Sequence, residues 1–324
     1  MSQPQLGVLV NLLAGRNRRR PAEVDALRQA AGPRARFFVT RNGDDLSGAI
    51  TEMARSRVTH LAVSGGDGSF QNLVTQWLNG SPDAPLPRIV PLLGGSMNML
   101  SQDVGNGDNQ VRTLERLHGH LGGTADSKNL EIVRRSTLRV EDSTAEHPLF
   151  GFVFTDGFVI RFLDHYYKGE KGPWAAFKNA AFFAWAAFSN ASEHRHFFER
   201  CKARLKINGI ERTEYIFTSA ATLEHVVFGF RMFHDGPAPG EHFSVVNYNV
   251  PWLPLAALDM PNIFYLASRT GRYLPGANVL NAATPRFEMS GCEGYSLDGE
   301  MFTAKAPMDL TVTLGPTVEF VRVH

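Results

Sequence analysis

The chain has 324 residues, of which 43% are hydrophobic and 20% are charged, a composition typical of folded globular proteins and not of disordered chains. Its 33 lysines and arginines almost balance its 32 aspartates and glutamates, so no global charge attracts nucleic acid, which we do not expect as a partner. Two cysteines exclude a disulfide scaffold and indicate a reducing cytoplasm. The sequence shows neither a signal-peptide pattern nor an apolar stretch of about 18 residues, so we expect no secretion signal and no membrane span.

The first third of the chain alternates short apolar runs with helical patterns, which predicts an α/β domain built on a doubly wound parallel sheet. Strands are predicted at residues 6–10, 36–40, 60–63 and 88–92. Helices are predicted to begin at Pro21, at a cap formed by Asp44 or Asp45, after the glycines at 65–68, near Met97 and near Val111. Because ligands bind beyond the carboxyl ends of strands in such sheets, the segments 11–20, 64–69 and 94–98 are the candidate binding loops.

After about residue 125 the pattern changes to that of an antiparallel sheet or β-sandwich. Strands are predicted at residues 130–140, 150–160, 204–207, 215–219, 243–248, 286–290 and 310–314. Asn208-Gly209 is a hairpin signal between two of these runs. The change predicts an α/β domain at residues 1–125 and an antiparallel β-sandwich domain at 126–301, and the segment 302–324 can pack back onto the first domain.

The sequence SGGDGS at residues 64–69 follows a predicted strand and contains three glycines. A glycine fixed in a secondary-structure element lowers the stability of the fold by roughly 0.5–1 kcal/mol relative to alanine. Three glycines together therefore indicate a structural need, either a tight turn or a close approach of the backbone to a phosphate. A second turn, LLGGSMNML, and a basic first loop, NLLAGRNRRR, follow neighbouring strands. Together the three loops supply the candidate phosphate-binding residues Asn11, Arg16, Gly65, Gly66, Gly68, Ser69, Gly95, Ser96 and Asn98.

Asp67 stands between these glycines, where a carboxylate would repel a phosphate. A magnesium ion or an ordered water reconciles the two, because hard cations bridge carboxylates and phosphates. The alternative is that Asp67 only caps the helix that follows it.

At this point four segments resemble one family. SGGDGS resembles the GGDGT signature of the diacylglycerol kinase catalytic domain superfamily, which includes bacterial lipid kinases, sphingosine kinases and ceramide kinases. LLGGSMNML is similar to its Gly-Thr/Ser-x-Asn turn, and NLLAG to its Asn-Pro-x-x-Gly motif. LDGEMFTAKAPMDLTV resembles its Asp-Gly-Glu motif and the strands that follow, and the four segments keep the family's order.

The resemblance implies a nucleotide-binding α/β domain, a lipid-binding β-sandwich domain, and ATP- and Mg²⁺-dependent phosphorylation of a lipid hydroxyl. It implies that Asp67 organises the magnesium of the nucleotide, that Glu300 is the general base, and that Asp298 orients Glu300 or the metal. The acceptor stays open between diacylglycerol and a ceramide or sphingoid lipid. Two rival functions also remain open: a kinase for a soluble metabolite, such as NAD kinase, and a non-catalytic lipid-binding relative.

The sequence departs from the family pattern at several positions. Leu12 replaces the proline of the first motif, and Gln71-Asn72 replaces the usual Asn-Glu after the glycine turn. Pro239 and Ser244 stand where bacterial members often carry two aspartates that bind a structural magnesium. We therefore do not expect a structural magnesium of that type.

An aromatic segment within residues 173–189 predicts one long helix with Trp174, Phe177, Trp185 and Phe188 on one face. This helix is either part of the sandwich core or an interfacial segment that admits lipid, with Lys168, Lys171 and Lys178 near anionic headgroups. The second interpretation predicts a cytoplasmic protein that contacts the inner face of the membrane peripherally. A homodimer is left open.

Overall fold

The computed structural model describes residues 5–81, 83–107, 109–122, 130–169, 178, 197–226, 231–233, 236–249 and 278–324. The chain forms two compact units. Unit 1 comprises Met1–Arg135 and Thr317–His324, and unit 2 comprises Ser136–Pro316. The chain leaves unit 1 within strand β5 (Leu130–Asp142) and returns to it within strand β14 (Glu300–Val323).

Unit 1 is built on a parallel sheet, which confirms the predicted α/β class. Its strands are β1 (Leu6–Asn11), β2 (Arg36–Thr40), β3 (His60–Gly65), β4 (Arg88–Leu93) and the end of β14. They lie side by side in the order β2, β1, β3, β4, β14, and every described pair in this order is parallel. The carboxyl ends of β1, β3 and β4 therefore share one edge of the sheet.

Six helices surround this sheet in the described part of unit 1. They are α1 (Gly15–Arg19), α2 (Ala22–Ala31), α3 (Gly43–Arg55), α4 (Asp67–Gly80), α5 (Met99–Val104) and α6 (Gln110–Leu121). Leu27 of α2 and Leu114 of α6 pack on the same face of the sheet as Val8 and Val90. Successive strand residues alternate between the two faces of the sheet, so Leu9 and the buried strand residues on its face form a second layer. Helices α3 and α4 contact each other.

Three sequence predictions in unit 1 were wrong in detail. Residues 15–19, predicted as loop, form the short helix α1. The cap of α3 is Asn42, whose side chain accepts a hydrogen bond from Asp45 N at 2.8 Å, rather than Asp44 or Asp45. Helix α5 begins two residues later than predicted because Asn98 has a left-handed conformation with φ of 53°, which α-helical residues do not adopt.

Unit 2 consists mainly of antiparallel strands, as predicted. The strands are β5, β6 (Leu149–Gly151), β7 (Val153–Asp156), β8 (Cys201–Ile207), β9 (Ile210–Tyr215), β10 (Phe217–Ala221), β11 (Phe243–Tyr248), β12 (Val279–Thr284), β13 (Arg286–Leu297) and β14. Strands β12, β11, β10, β7, β13 and β14 are consecutive neighbours, and β8 pairs with β13. The core beneath them contains Phe154, Tyr215, Phe243, Phe287 and Tyr295.

The sequence prediction of one strand over residues 150–160 was wrong. The strand ends at Asp156, and helix α7 (Phe158–Lys168) follows. Gly157 causes the change because its φ is 63°, a conformation that residues with side chains rarely adopt. A Cβ atom at this position would also lie 2.7 Å from Cys201 Sγ.

The Asn208-Gly209 hairpin is confirmed. Both residues have positive φ, 48° and 79°, as a type I′ turn requires, and Ile207 pairs with Ile210 across the turn.

The aromatic segment that carries Trp174, Phe177, Trp185 and Phe188 lies outside the described residues, so its membrane role stays a prediction. Among the residues that the structure describes, no helix is long and apolar enough to cross a membrane.

His60 is expected to make the stability of the protein depend on pH. It is 9% exposed at the start of β3, and burial, assisted by the charge of Arg88, lowers its pKa from 6.5 to about 4. Between these two pH values the unfolded chain binds a proton that the folded chain does not, so the free energy of unfolding decreases as the pH falls. The loss attributable to His60 is about 3 kcal/mol over the whole window.

Replacing His60 by glutamine should therefore flatten the slope of stability against pH between about pH 6.5 and 4. Denaturant unfolding of both proteins across this window measures the difference, and other titrating groups cancel in the comparison. Equal slopes in the two proteins would show that His60 does not cause the effect.

Candidate active site

Two glycine turns lie side by side at the carboxyl edge of the unit 1 sheet. Turn A (Gly65–Ser69) follows β3, and turn B (Gly94–Asn98) follows β4, with Gly65 paired to Leu93. A Cβ atom on Gly94 would lie 2.5 Å from Gly65 N and 2.7 Å from the carbonyl carbon of Ser64, and a Cβ atom on Gly95 would overlap the Cα of Gly66. The glycines therefore allow the backbones of the two turns to pack directly against each other.

Asp67 connects the two turns. It is the first residue of α4, and its Oδ1 accepts a hydrogen bond from Leu100 N, in the first turn of α5, at 3.1 Å. The cap of α4 is Gly66, so Asp67 does not cap the helix that follows it. Burial raises the pKa of Asp67 above its ordinary value, and the backbone N–H groups of residues 98–100 oppose this shift.

The first loop contacts turn A through Asn11, the last residue of β1. Asn11 Nδ2 donates to Ser69 Oγ at 2.9 Å, and the same Ser69 oxygen accepts from Gly66 N at 3.2 Å. The Oδ1 atom of Asn11 accepts from Leu13 N at 2.9 Å and shapes the loop. The structure thus brings together the first, second and third candidate loops, as the sequence predicted for the ends of parallel strands.

Turn B is shaped by Asn98 and presents Ser96. Asn98 Oδ1 accepts from Gly95 N at 2.8 Å, and its Nδ2 donates to Gly95 O at 3.1 Å, so this amide is engaged within its own turn. Ser96 is half-buried, and its Oγ lies so close to Gly15 that a Cβ atom there would overlap it. The Ser96 hydroxyl has no hydrogen-bond partner among the described residues.

The arginines of the first loop differ in their surroundings. Arg16 donates from Nε and Nη2 to the two carboxylate oxygens of Glu23, at 2.8 and 3.1 Å. These bonds are the main cause that lowers the pKa of Glu23 to about 2. Arg18 and Arg19 are exposed and form no ion pair with any described residue. The cationic charge that is available to a ligand is therefore at Arg18 and Arg19 rather than at Arg16.

Three buried polar residues at this edge were missed by the sequence analysis. Asn17 Nδ2 donates to Asn11 O at 2.9 Å and to Ser64 O at 3.0 Å. Ser64 Oγ lies 2.8 Å from Gln110 Oε1 and 3.1 Å from Asn17 Oδ1. Side chains of Asn17, Ser64 and Gln110 are essentially unexposed. No local pattern marks them, because the bonds that join Ser64 to Asn17 and to Gln110 span 47 and 46 positions of the chain.

The Asp-Gly-Glu segment forms the hairpin turn between β13 and β14 in unit 2. Asp298 and Gly299 have φ of 52° and 86°, and Leu297 pairs with Glu300. Asp298 is buried, and its carboxylate accepts from Phe152 N and Val153 N at 2.8–3.1 Å. Glu300 is exposed at the first position of β14. Asp298 therefore fixes the turn, and Glu300 presents a carboxylate to solvent.

A comparison with protein families finds a match in the first part of the chain. Residues 5–128 match the diacylglycerol kinase catalytic domain. The matched segment contains the first loop, turn A and turn B, so the resemblance inferred from these motifs is confirmed. A comparison with curated proteins finds no match.

Solved structures show the same fold over almost the whole length. A protein from Bacillus anthracis str. Sterne, provisionally described as a diacylglycerol kinase, has a TM-score of 0.68 at 15% sequence identity, with 98% of this chain and 97% of that chain covered. Two further structures from the same organism, one described as a diacylglycerol kinase and the other provisionally so, give TM-scores of 0.61 and 0.64 at 13% and 14% identity with the same coverage. The α/β unit and the antiparallel unit both belong to this fold.

The donor set at this edge of the unit 1 sheet fits a magnesium ion carried by a nucleotide. Asp67 is the only carboxylate within the first loop, turn A and turn B, and the described residues contain no group of three histidine, cysteine or acidic side chains that could hold a metal. Mg²⁺ is commonly bound through one or two carboxylates together with substrate phosphates. One carboxylate beside the phosphates of a bound nucleotide is sufficient for that arrangement.

Proposed function

We propose that the protein is an ATP-dependent lipid kinase that transfers the γ-phosphate of ATP to a hydroxyl of a membrane lipid, either diacylglycerol or a ceramide or sphingoid lipid. The observation that carries the proposal is the joining of three loops at the carboxyl ends of β1, β3 and β4, with Asp67 bonded across two of them. This arrangement lies within the segment that matches the diacylglycerol kinase catalytic domain.

On the nucleotide side, turn A and turn B supply the groups that bind phosphate. The first N–H groups of α4, at Asp67 and Gly68, have no acceptor within their own helix and favour an anion together with the helix dipole. Ser96 adds a hydroxyl, and Arg18 and Arg19 add positive charge. Asn11, Ser69, Gly95 and Asn98 position these groups through the hydrogen bonds described above.

Phosphoryl transfer requires positioning and charge stabilisation more than covalent help from the protein. The oxygen of the lipid hydroxyl forms a bond to the γ-phosphorus, the bond from this phosphorus to the β–γ bridging oxygen breaks, and ADP leaves. Glu300 accepts the proton of the hydroxyl, and Asp298 acts as a positioning residue by holding the hairpin turn. Mg²⁺, when bound, would supply positive charge to the phosphate oxygens.

On the lipid side, the acceptor carries a primary hydroxyl, and the two-tailed lipids diacylglycerol and ceramide are the first candidates. The contact with the membrane is assigned to Trp174, Phe177, Trp185 and Phe188, and it makes the protein a peripheral protein at the cytoplasmic face. The sequence pattern supports the assignment, because these four aromatic residues recur at helical spacing and interfacial helices bury such residues among lipid headgroups.

An acceptor panel tests the proposed function. The purified protein is incubated with γ-labelled ATP and, separately, with diacylglycerol, monoacylglycerol, ceramide, sphingosine and NAD. We expect label in the organic phase with diacylglycerol or ceramide. Label only in NAD or another water-soluble product would contradict the lipid kinase, and label in none of them would contradict the kinase activity.

Replacing Glu300 by glutamine should lower the turnover of the lipid kinase by about 10²–10⁴-fold, as expected for loss of a general base. The affinity for ATP should change little, because the lost interaction acts mainly in the transition state. Glu146→Gln, an exposed glutamate in the loop after β5, is the matched control and should retain full turnover. Full activity of Glu300→Gln would remove Glu300 from the mechanism.

A further inference from the structure

We propose that Glu23 and Gln110, which belong to none of the motifs, are positioning residues for the nucleotide: they fix Arg16 and, through Ser64 and Asn17, the relative placement of the first loop and turn A. The proposal rests on the proposed function, since it names the residues on which ATP affinity depends.

Glu23 of α2 binds the side chains of two arginines in the first loop. Its carboxylate accepts two parallel hydrogen bonds from Arg16, the strong bidentate arrangement of these groups. Arg20 Nη1 donates to the same carboxylate at 3.0 Å. The backbone N–H of Arg16 donates to Gly94 O at 3.0 Å, so the residue that Glu23 holds is also attached to turn B.

Gln110 of α6 connects the carboxylate of Glu23 to the buried hydroxyl of Ser64. Its Nε2 donates to Glu23 Oε2 at 2.8 Å, and its Oε1 accepts from Ser64 Oγ at 2.8 Å. The side chain is completely buried. An amide donates from its nitrogen and accepts at its oxygen, so the glutamine side chain matches a carboxylate at one end and a hydroxyl at the other.

Ser64 and Asn17 complete the connection to the turns. Ser64 is the last residue before turn A, and Asn17 donates to the carbonyl oxygens of both Ser64 and Asn11. A buried polar network whose members are satisfied fixes the geometry of the segments that it joins. The hydrogen bonds from Glu23 through Gln110 to Ser64 and Asn17, called the relay below, therefore end at the backbone of the first loop and of the strand that leads into turn A. The N–H groups and side chains of the first loop and turn A would meet the phosphates.

Replacing Gln110 by glutamate tests the relay. The new carboxylate would lie within hydrogen-bond distance of Glu23, and two carboxylates so close are not both ionised at low cost. Arg16 and Arg20 face the Glu23 carboxylate from α1 and the adjoining turn. Because a bound proton restores the missing donor, we expect the damage to be present at neutral pH and to be relieved as the pH falls.

The measurement is the dissociation constant of ATP with magnesium, by calorimetry on the full chain, at several values between about pH 5 and 8. At each pH the dissociation constant of Gln110→Glu is divided by that of the unsubstituted protein, so that the effect of ATP's own titration cancels. We expect a ratio of about 10–100 at neutral pH, the equivalent of one or two hydrogen bonds to a charged group, and a decrease toward one at the acidic end. Gln29→Glu, an exposed residue of α2, adds the same charge and should give a ratio near one throughout.

The outcomes separate the two proposals. Failure of the unsubstituted protein to bind ATP contradicts the proposed function and with it the relay. If the unsubstituted protein binds ATP, two results overturn the relay alone: a Gln110→Glu ratio near one at every pH, or a loss of affinity that does not change with pH.

If Gln110→Glu does not fold, Glu23→Gln replaces it. An ATP affinity at least about 10-fold weaker, with an unchanged melting temperature, supports the relay, and an unchanged affinity overturns it.

Discussion

Replacing Asp67 by asparagine is expected to lower the turnover of lipid phosphorylation by at least about 100-fold. Loss of one preorganised electrostatic group commonly costs about 2.7–4 kcal/mol in the transition state. Asparagine keeps the size of the side chain, and its amide oxygen can still accept the hydrogen bond from Leu100 N. The substitution therefore removes the charge that would organise magnesium while leaving the link between turn A and turn B in place.

The measurement is the turnover of labelled ATP with the acceptor that the panel identifies, together with thermal unfolding of both proteins. Asp25→Asn, an exposed acidic residue of α2, serves as the control for loss of one negative charge. Near-normal turnover of Asp67→Asn would mean that Asp67 serves only to join the two turns. A lower turnover with an unchanged melting temperature would support the metal-organising role.

Replacing Gly94 by alanine is the second substitution from which we expect a large effect. The added Cβ would lie 2.5–2.7 Å from backbone atoms of Ser64 and Gly65, which cannot rotate away as a side chain can. Overpacking of this kind costs about 1–3 kcal/mol, and the relief requires turn A and turn B to separate. We therefore expect a lower melting temperature and a loss of ATP affinity.

Gly48→Ala is the matched control. Gly48 lies inside α3, and no atom lies within 4 Å of the position of its missing Cβ. Alanine there should stabilise the protein by up to about 1 kcal/mol and leave ATP affinity unchanged. Equal behaviour of the two variants in unfolding and in calorimetry would contradict the close packing of the two turns.

The parts of the structure that the sequence predicted correctly are those with local causes. The strands of unit 1 follow from short apolar runs, and its helices follow from apolar residues at helical spacing. The hairpin at Asn208-Gly209 follows from residues that tolerate positive φ. The three loops could be placed together because the carboxyl ends of parallel strands share an edge. Each of these inferences needed only neighbouring residues or one topological rule.

The failures have non-local or single-residue causes. Phe158–Ile160 were assigned to a strand because all three are aromatic or β-branched and the run continues the apolar segment, whereas one positive φ at Gly157 ends the strand before them. Glu23 and Gln110 were overlooked because their 2.8 Å contact spans 87 positions in the chain. The close packing of Gly94 and Gly95 against turn A was not expected, because it depends on a neighbouring turn that is distant in the sequence.

The return of β14 to unit 1 has a consequence for how the protein is made. Phe320 pairs with Ile89 of β4, and the side chain of Asn106 bonds to the backbone of Val321 and Val323. The ribosome must therefore synthesise all of unit 2 before the sheet of unit 1 has its last strand. Domains usually fold in order from the N-terminus during synthesis, but here the first unit to be synthesised waits with an open sheet edge beside β4. A fragment that ends near residue 128 would retain that open edge permanently, which makes it prone to aggregation and a poor substitute for the full chain in assays of nucleotide binding.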